Sequence, residues 1–581
     1  MGKRIIMYLM AIAVFGTIFY NEYKRNKTIT STSSVLNNVS VHEFCGTDPV
    51  MLKDTGSVQV ISKIYEGLYT YHPLKRPVEL IPDLAEGMPS ISPDGLVYIF
   101  KIKKDVLFQD DACFPNGKGR MLTAADVVFT LKRIVDPNNT VPYVDFIDGK
   151  IKGLDAWKKR ADYAQEVEGL QALDSYTLQV TLTAPWPAFL NFLAMWPAFV
   201  VAHEAVSHYG PEFLNHPVGT GPFILKGGFD PQAKRLEFVK NPTFRKKLFP
   251  NEAAPQYQHM LAYAGKQLPL VDKVVTHVIL EEQPRWLKMQ KAEIDIDRID
   301  DTAFALTIVK DGVLLPTWAE KGLVLDQTPG TNVEFFAFNH THALFGKNIS
   351  LRKAMSMAFD RETYNKMFYN QAAQEAQSIV PSMLMDNADV LVNPYAYNLD
   401  RAKEYLVKAG YPNGKGLPDI TLDCRAETAS KNKAMFFAKC MEKIGITVQV
   451  IPNIWAELHN KIYKQATMLH TYVWYADDPD PASMLQLIRS KHLAGLQYEN
   501  IEFNTLFDKA VTLVDRAERY RLYATLNKIA MEEVPMIFAV NKPIQFLYHK
   551  WVKNFAYDGF GLFFDQYIAV DMAEKAKSTM K

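Results

Sequence analysis

Cysteine is scarce: Cys45, Cys113, Cys424 and Cys440 are the only four in 581 residues. Four thiols cannot staple a chain of this size, so the fold has to rest on buried apolar surface. None of them sits in a C-x-x-C pair, which removes zinc-ribbon and thioredoxin-type readings. An excess of either charge is equally lacking. With 65 basic against 64 acidic residues, there is no basic stripe for nucleic acid and no acidic tail. Beyond residue 20 no apolar run is long enough to cross a membrane, and no short repeat or low-complexity tract occurs.

Catalytic signatures are missing too. There is no G-x-S-x-G elbow and no Walker-type phosphate loop. Asn116-Gly117-Lys118-Gly119 and Asn413-Gly414-Lys415-Gly416 lack the spacing and the following Ser or Thr. His203-Glu204 followed by His208 resembles H-E-x-x-H, but the second histidine comes one residue late. On a helix that sets the imidazoles about 140° apart, too far round to share a metal. Asp295, Asp297 and Asp300 lack the glycine of a calcium loop, and the isoleucines between them read as a strand bearing solvated acids. His340 and His342 project to one side of an extended segment but have no third ligand. No enzyme constellation emerges, no metal set is complete, and no cofactor is expected.

What is present is ordinary globular composition at a length that calls for two or three domains. The 34 Phe, 28 Tyr and 8 Trp suit a large core or a large apolar cleft equally. Lys3 and Arg4 precede an apolar run over 5–20, and Lys24, Arg25 and Lys27 follow it. As a helix the run spans roughly 24 Å, under the typical ~30 Å hydrocarbon core. It reads as a secretory signal or an uncleaved membrane anchor. Residues 16–20 offer no A-x-A cleavage pattern, and Cys45 lies too far along for a lipobox, which favours the anchor. Either way the bulk of the chain is exported. Residues 28–38, rich in Ser and Thr, read as a tether.

Strand and helix patterns alternate through the body. Tyr98, Phe100 and Ile102 follow a period of two, as do Tyr176, Leu178, Val180 and Leu182. Thr123-Ala124-Ala125-Asp126 is a capping motif for a helix with Val127, Leu131 and Ile134 on its core side. A helix over 400–409 starts at an Asp cap and stops at Gly410. Strands at 420–423 and 447–451 flank a helix at 431–444, a βαβ unit. The mixture argues for α/β or α+β domains.

One segment stands apart. Tyr472-Val473-Trp474-Tyr475-Ala476 is an aromatic strand that stops at Asp477-Asp478-Pro479-Asp480-Pro481. The prolines cannot continue a ladder, so the chain turns there. Asp480 and Pro481 read as helix-start residues and Asp478 as a turn residue. Asp477 is left without a local structural task, and carboxylates beside aromatics are suited to holding an amine.

Several segments in fixed order resemble the family 5 extracellular solute-binding proteins of ABC transporters. Asp48-Pro49 with Glu66-Gly67-Leu68, and Pro82-Asp83-Leu84-Ala85-Glu86 with Asp94-Gly95, are similar to that family's opening blocks. Leu122-Thr123-Ala124-Ala125-Asp126 and Gly219-Thr220-Gly221-Pro222 follow, and then Phe338-Asn339 and Trp474-Tyr475-Ala476-Asp477. The resemblance covers nearly everything after about residue 40.

The resemblance implies a bilobed clamshell with ligand between the lobes. The first lobe comprises 39–71, 216–330 and 541–581, the β-rich insert 72–215 and the second lobe 331–540, after a signal or anchor at 1–27. It implies a monomeric periplasmic protein, with no enzymatic activity, that binds peptides and passes them to ABC permease subunits. Tethering to the inner membrane goes with an uncleaved 1–27. Nickel, haem or an oligosaccharide is the alternative solute, and a sensor or assembly role without transport is a further one. The family's contact positions fall on Lys53, Asp54 and Thr55 in the first lobe. In the second they fall on Val473, Trp474 and Tyr475, with Asp477 facing the peptide's amine. In an oxidising compartment Cys45 with Cys113, or Cys424 with Cys440, are the pairs to test for a bridge.

Overall fold

The computed structural model describes residues 33–579, apart from 53, 140, 231, 300–304, 386–390, 490–492 and 561–564. The expected signal or anchor at 1–27 therefore lies outside the described residues. Among them, no helix is long and apolar enough to cross a membrane.

Residues 28–38, read as a tether, end inside the fold. Val35–Ser40 is a strand pairing in parallel with Lys273–Val278, and Leu36 is fully buried on it. The polar residues around Leu36 mask the strand pattern, because the partner strand supplies most of the apolar surface. Arg235–Lys240 and Phe223–Leu225 complete this four-stranded sheet. A second antiparallel sheet of four strands, Ser90–Ile91, Val97–Lys101, Thr177–Thr181 and Leu170–Asp174, forms the insert. Tyr98, Phe100, Leu178 and Val180 are buried on it, as their alternation requires. The helix Ala124–Val135 covers it and opens with the Thr123/Asp126 capping box.

The second lobe is organised by a six-stranded mixed sheet. Its spatial order is Gln374–Glu375, Met536–Asn541, Asn332–Phe338, Leu469–Tyr475, Ile420–Arg425 and Val448–Asn453. Ile420–Arg425 and Val448–Asn453 run parallel around the helix Thr428–Glu442, the βαβ unit read from sequence. The chain passes between the lobes' sheets at two neighbouring points. Leu323–Thr328 pairs with Ile544–His549 on one side, and Asn332–Phe338 with Met536–Asn541 on the other. The crossings are laced together: Asn332 Nδ2 donates to the Lys542 carbonyl at 2.9 Å, and Asn541 Nδ2 to the Asn332 carbonyl at 2.7 Å. A Cβ at Gly330 would lie 1.9 Å from the Lys542 carbonyl oxygen, so only glycine fits between the two segments.

The signature residues of the first lobe are core ion pairs. Arg133 makes a two-pronged bond to Asp48 at 2.6 and 2.9 Å. Arg245 donates to Glu66 at 2.5 Å and to Asp83, with Lys247 on Asp83 at 2.7 Å. Gly219 and Gly221 press against the Ile64 backbone, where a Cβ would meet carbonyl atoms within 2.0 and 2.6 Å.

Some local readings change. The helix at 400 starts earlier, as Leu399–Lys408, and its cap is Asn398, which accepts from Arg401 N at 3.0 Å. Asn and Asp serve equally as caps, so the sequence did not separate them. Ile296–Ile299 is a strand as read, but its acids are not solvated. Asp295 is buried between Trp551 Nε1 (2.7 Å) and Lys575 Nζ (2.6 Å), and Asp297 meets Arg285 at 3.0 Å. Their partners lie up to 280 positions away, out of reach of a local pattern. None of the four cysteines is in a disulfide.

Candidate ligand-binding site

The strand Leu469–Tyr475 lies inside the second-lobe sheet but is only half covered. Asn332–Phe338 pairs with its whole length, from Asn332 opposite Tyr475 to Phe338 opposite Leu469. On the other side, Ile420–Arg425 reaches it only at Leu469 and His470. Residues 471–475 thus have a ladder partner on one side alone among the described residues. An exposed strand edge of this kind is a template for another extended chain.

Two chambers meet at the end of this strand. The first, about 530 Å³, is bordered by Val473, Trp474, Tyr475 and Asp477, four of the expected contact residues. Period-two geometry separates their roles. Tyr472 and Trp474 stack on one face, with ring centroids 6.4 Å apart, and pack against the apolar cluster under the helices at 482–533. Trp474 Nε1 is buried without a hydrogen-bond partner among the described residues. Tyr475 is 42% exposed and stands over the chamber. Val473 is opposite Glu334 on the other face.

Glu334 is a buried acid with an unusual set of partners. The hydroxyl of Tyr364 donates to it at 2.5 Å, the hydroxyl of Tyr369 donates to its other oxygen, and Lys433 Nζ is 3.5 Å away. Burial opposes its ionisation, but Lys433, Lys542 and the two hydroxyls outweigh that and hold its carboxyl below the usual range. Lys433, Lys542 and Arg425 border the same chamber, which makes this end basic. Arg425 also pairs with the exposed Glu427 at 2.6 Å. Motif reading missed these residues. The available signal was position: Arg425 ends a parallel strand, and open α/β sheets bind ligands beyond strand carboxyl ends.

The three acids after the strand divide as read. Asp480 Oδ1 accepts from Ala482 N at 2.9 Å and starts the helix Ala482–Arg489, with Arg519 3.8 Å away. Asp478 Oδ1 accepts from Asp480 N at 2.8 Å and closes the turn. Asp477 has neither task. Gln486 Nε2 donates to it at a long 3.4 Å, and among the described residues no cation lies within ion-pair distance. Burial pushes its carboxyl up to about 6, against the small opposing effect of Gln486. Asp477 also borders the second chamber, about 330 Å³, which opens between the lobes.

The first-lobe candidates are placed differently. Lys53 lies outside the described residues. Thr55 is the first residue of the helix Thr55–Ile61, and Asp54 is its cap, with Oδ1 accepting from Ser57 N at 2.7 Å. Asp54 Oδ2 is buried with no hydrogen-bond partner among the described residues. Asp54 does not border the two chambers. The link is electrostatic. Burial first, then Asp477, then Asp54 raise the Tyr143 hydroxyl, so both acids act on one phenol between the lobes.

Metal readings fall away. His340 Nε2 bonds to the Pro535 carbonyl at 3.0 Å, while His342 Nδ1 accepts from Leu344 N at 3.3 Å as a helix cap. Asp126, His203 and Glu204 bring ligand atoms within 4.8 Å of one another. Arg120 already donates to both carboxylates, at 2.5–2.8 Å, and closes that cluster as an ion network.

A half-covered strand ending in an uncompensated acid sets free backbone hydrogen-bonding groups beside a negative charge. The sequence profile of the bacterial extracellular solute-binding proteins, family 5 (middle region), matches residues 79–494. The chain belongs to that family. Its members are solute-binding proteins. The chain is 26% identical over 532 residues to Heme-binding protein A of Haemophilus influenzae, covering 88% of this chain and 89% of that one. It is 25% identical over 505 residues to the glutathione-binding protein GsiB of Escherichia coli, covering 85% and 86%. In structure it is similar to the ABC transporter-associated periplasmic binding protein DppA of Helicobacter pylori, solved with the peptide STSA. That match has a TM-score of 0.70 at 24% identity, over 92% of this chain and 98% of the other. The fold is the bilobed one of periplasmic binding proteins.

Proposed function

We propose that this family 5 protein captures peptides between its lobes and delivers them to the permease subunits of an ABC transporter. The observation that carries this reading is Asp477, a carboxylate drawn out of water at the junction of two chambers, with no ion-pair partner among the described residues. A ligand ammonium supplies the missing charge. From there the ligand backbone runs along 471–475 as an added strand, flanked by Trp474, Tyr475 and Val473. The ligand's carboxylate end meets Lys433 and Arg425. From Asp477 back to Val473, where Glu334 anchors Lys433, an extended chain covers about 13 Å. That length suits three or four residues. Lys53, Asp54 and Thr55 serve the first-lobe side of the closed cleft, and Asp54 acts there on Tyr143.

The similar proteins named for glutathione and for the peptide STSA support a peptide ligand. Haem is the second reading, favoured by the 26% identical relative. The site binds and releases without chemistry. The protein acts as a periplasmic monomer tethered to the inner membrane by 1–27, with lobes at 39–71, 216–330 and 541–581 against 331–540, and the insert at 72–215. Native mass spectrometry of the protein mixed with di- to pentapeptides, glutathione and haem tests the reading. Intact peptide adducts are expected, lost in Asp477→Ala. Cleaved peptides, haem as the sole adduct, or peptide binding indifferent to Asp477 would each overturn it.

A further inference from the structure

The chamber on the far side of Asp477 differs in character from the one along the strand. Its walls come from both lobes. The insert supplies Phe146, Trp186, Phe192 and Met195, and the second lobe supplies Phe507 and Val511. The rings of the aromatic wall pack on one another. Trp186 lies 5.4 Å from Phe192 between ring centroids, and Phe146 stacks on Phe192 at 6.5 Å.

Lys150 and three acids, Asp477, Asp478 and Asp480, border this chamber. Lys150 Nζ sits 4.1 Å above the Trp186 ring, and its charge and that of Asp478 act on one another across the lobes. Asp478 also holds the Asp480 amide at 2.8 Å. The rest of the lining is mainly apolar, with Thr183, Ser483, Gln486, Thr512 and Tyr523 as its polar members, and Asp477 lies on its border.

We infer that this chamber receives the first side chain of the ligand, and that it selects peptides whose amino-terminal residue is large and apolar, aromatic above all. The inference rests on the reading of Asp477 as the amine's partner. A peptide's first Cβ lies about 2.5 Å from its amine nitrogen, two bonds away. An amine at Asp477 therefore sets the first side chain at the mouth of a chamber that Asp477 itself borders. The backbone occupies the other chamber, along the strand edge. A backbone-reading site is indifferent to side chains; this wall adds a preference at one position. Burying a Phe in place of an Ala side chain there tightens binding by about 10–100-fold.

Calorimetric titration with Phe-Ala-Ala, Leu-Ala-Ala, Ala-Ala-Ala and Lys-Ala-Ala at pH 7.5 tests this. Phe-Ala-Ala is expected to bind at least about tenfold tighter than Ala-Ala-Ala, with Leu-Ala-Ala between them. Val511→Trp, or Thr512→Trp at the exposed neighbouring position, fills the chamber and brings the Phe/Ala ratio within about threefold. A thermal melt checks that each variant folds. Equal binding of Phe-Ala-Ala and Ala-Ala-Ala, tightest binding of Lys-Ala-Ala, or an unchanged ratio in both folded variants would overturn the inference alone. If no peptide binds, or if Asp477→Ala leaves every affinity unchanged, the amine reading fails and takes this inference with it.

Discussion

Asp477 gives the most exposed test of the site, because its own environment works against it. Burial pushes its carboxyl to about 6, so in the empty cleft it is ionised at neutral pH and mostly protonated at pH 5. Only the ionised form attracts an ammonium. At pH 7.5 roughly 97% of the empty protein carries the charge, and at pH 5 roughly 9%, so affinity for a free-amine peptide falls about tenfold. The acetylated peptide, which has no ammonium, loses this dependence. Asp478 and Asp480 are also raised, by burial first, and Lys150 and Tyr143 face the same space. Their contributions persist in Asp477→Asn, so the difference between wild type and variant isolates Asp477.

The same shift has a sign for stability. The folded value of about 6 lies above the unfolded ~3.9, so the fold favours the protonated form. That stabilisation is complete below about pH 3.9 and is lost as pH rises through 6. The full shift corresponds to about 3 kcal/mol, and the partial exposure of Asp477 reduces this to about 1–3 kcal/mol. Asp477→Asn is therefore expected to make the empty protein more stable at pH 7.5 and equally stable at pH 4, while weakening peptide binding at least tenfold at pH 7.5. Titration calorimetry and thermal melts across pH 4–8 measure both. Equal affinity at pH 5 and 7.5, or a variant less stable than wild type at pH 7.5, would refute the argument.

Lys433→Met should remove the preference for a free carboxylate over a carboxyl-terminal amide, a change of about tenfold in the affinity ratio by calorimetry, because Glu334 holds Lys433 at the basic end. Arg245→Met leaves Glu66 and Asp83, each 2% exposed, with Lys247 as their remaining cation, and is expected to cost about 3 kcal/mol in urea unfolding with an unchanged m-value. Asp480→Ala removes the cap of Ala482–Arg489 and should cost about 1–2 kcal/mol in the same assay, while loosening the turn that holds Asp477 and weakening peptide binding.

What could be read from the sequence was whatever is set by near neighbours. The capping box at Thr123, the βαβ unit around Thr428–Glu442 and the division of labour between Asp478 and Asp480 all depend on residues a few positions apart. The family's ordered motifs then supplied the two-lobed arrangement, which no local pattern encodes. Where partners come from far along the chain, the residues alone did not speak. Asp295 and Asp297 look like solvated strand acids until Trp551, Lys575 and Arg285 are seen around them. Glu334 and Lys433 are separated by about a hundred residues and meet only because one sits on the strand beside the site and the other on the helix of the βαβ unit. Asp54 was expected at the ligand; its Oδ1 caps the helix Thr55–Ile61 by accepting from Ser57 N, a task the sequence reading did not assign it, while its Oδ2 has no hydrogen-bond partner among the described residues.

The two structural acids explain why the third is available. Asp478 fixes the turn by accepting the Asp480 amide, and Asp480 fixes the helix that follows. Asp477 lies between a paired strand and a capped helix, and Gln486, its hydrogen-bond donor, rides on that same helix. A mobile loop would let an unpaired carboxylate solvate itself, and its affinity for a cation would fall accordingly. Holding the acid in place keeps it costly when the cleft is empty and rewarding when an amine arrives. Asp477 borders both chambers at once, so the backbone pairing proposed along 471–475 and the side-chain packing proposed against Trp186 and Phe507 would be referred to one charge. Loosening the turn should therefore blunt amine recognition and first-residue preference together, whereas filling the apolar chamber should blunt only the second.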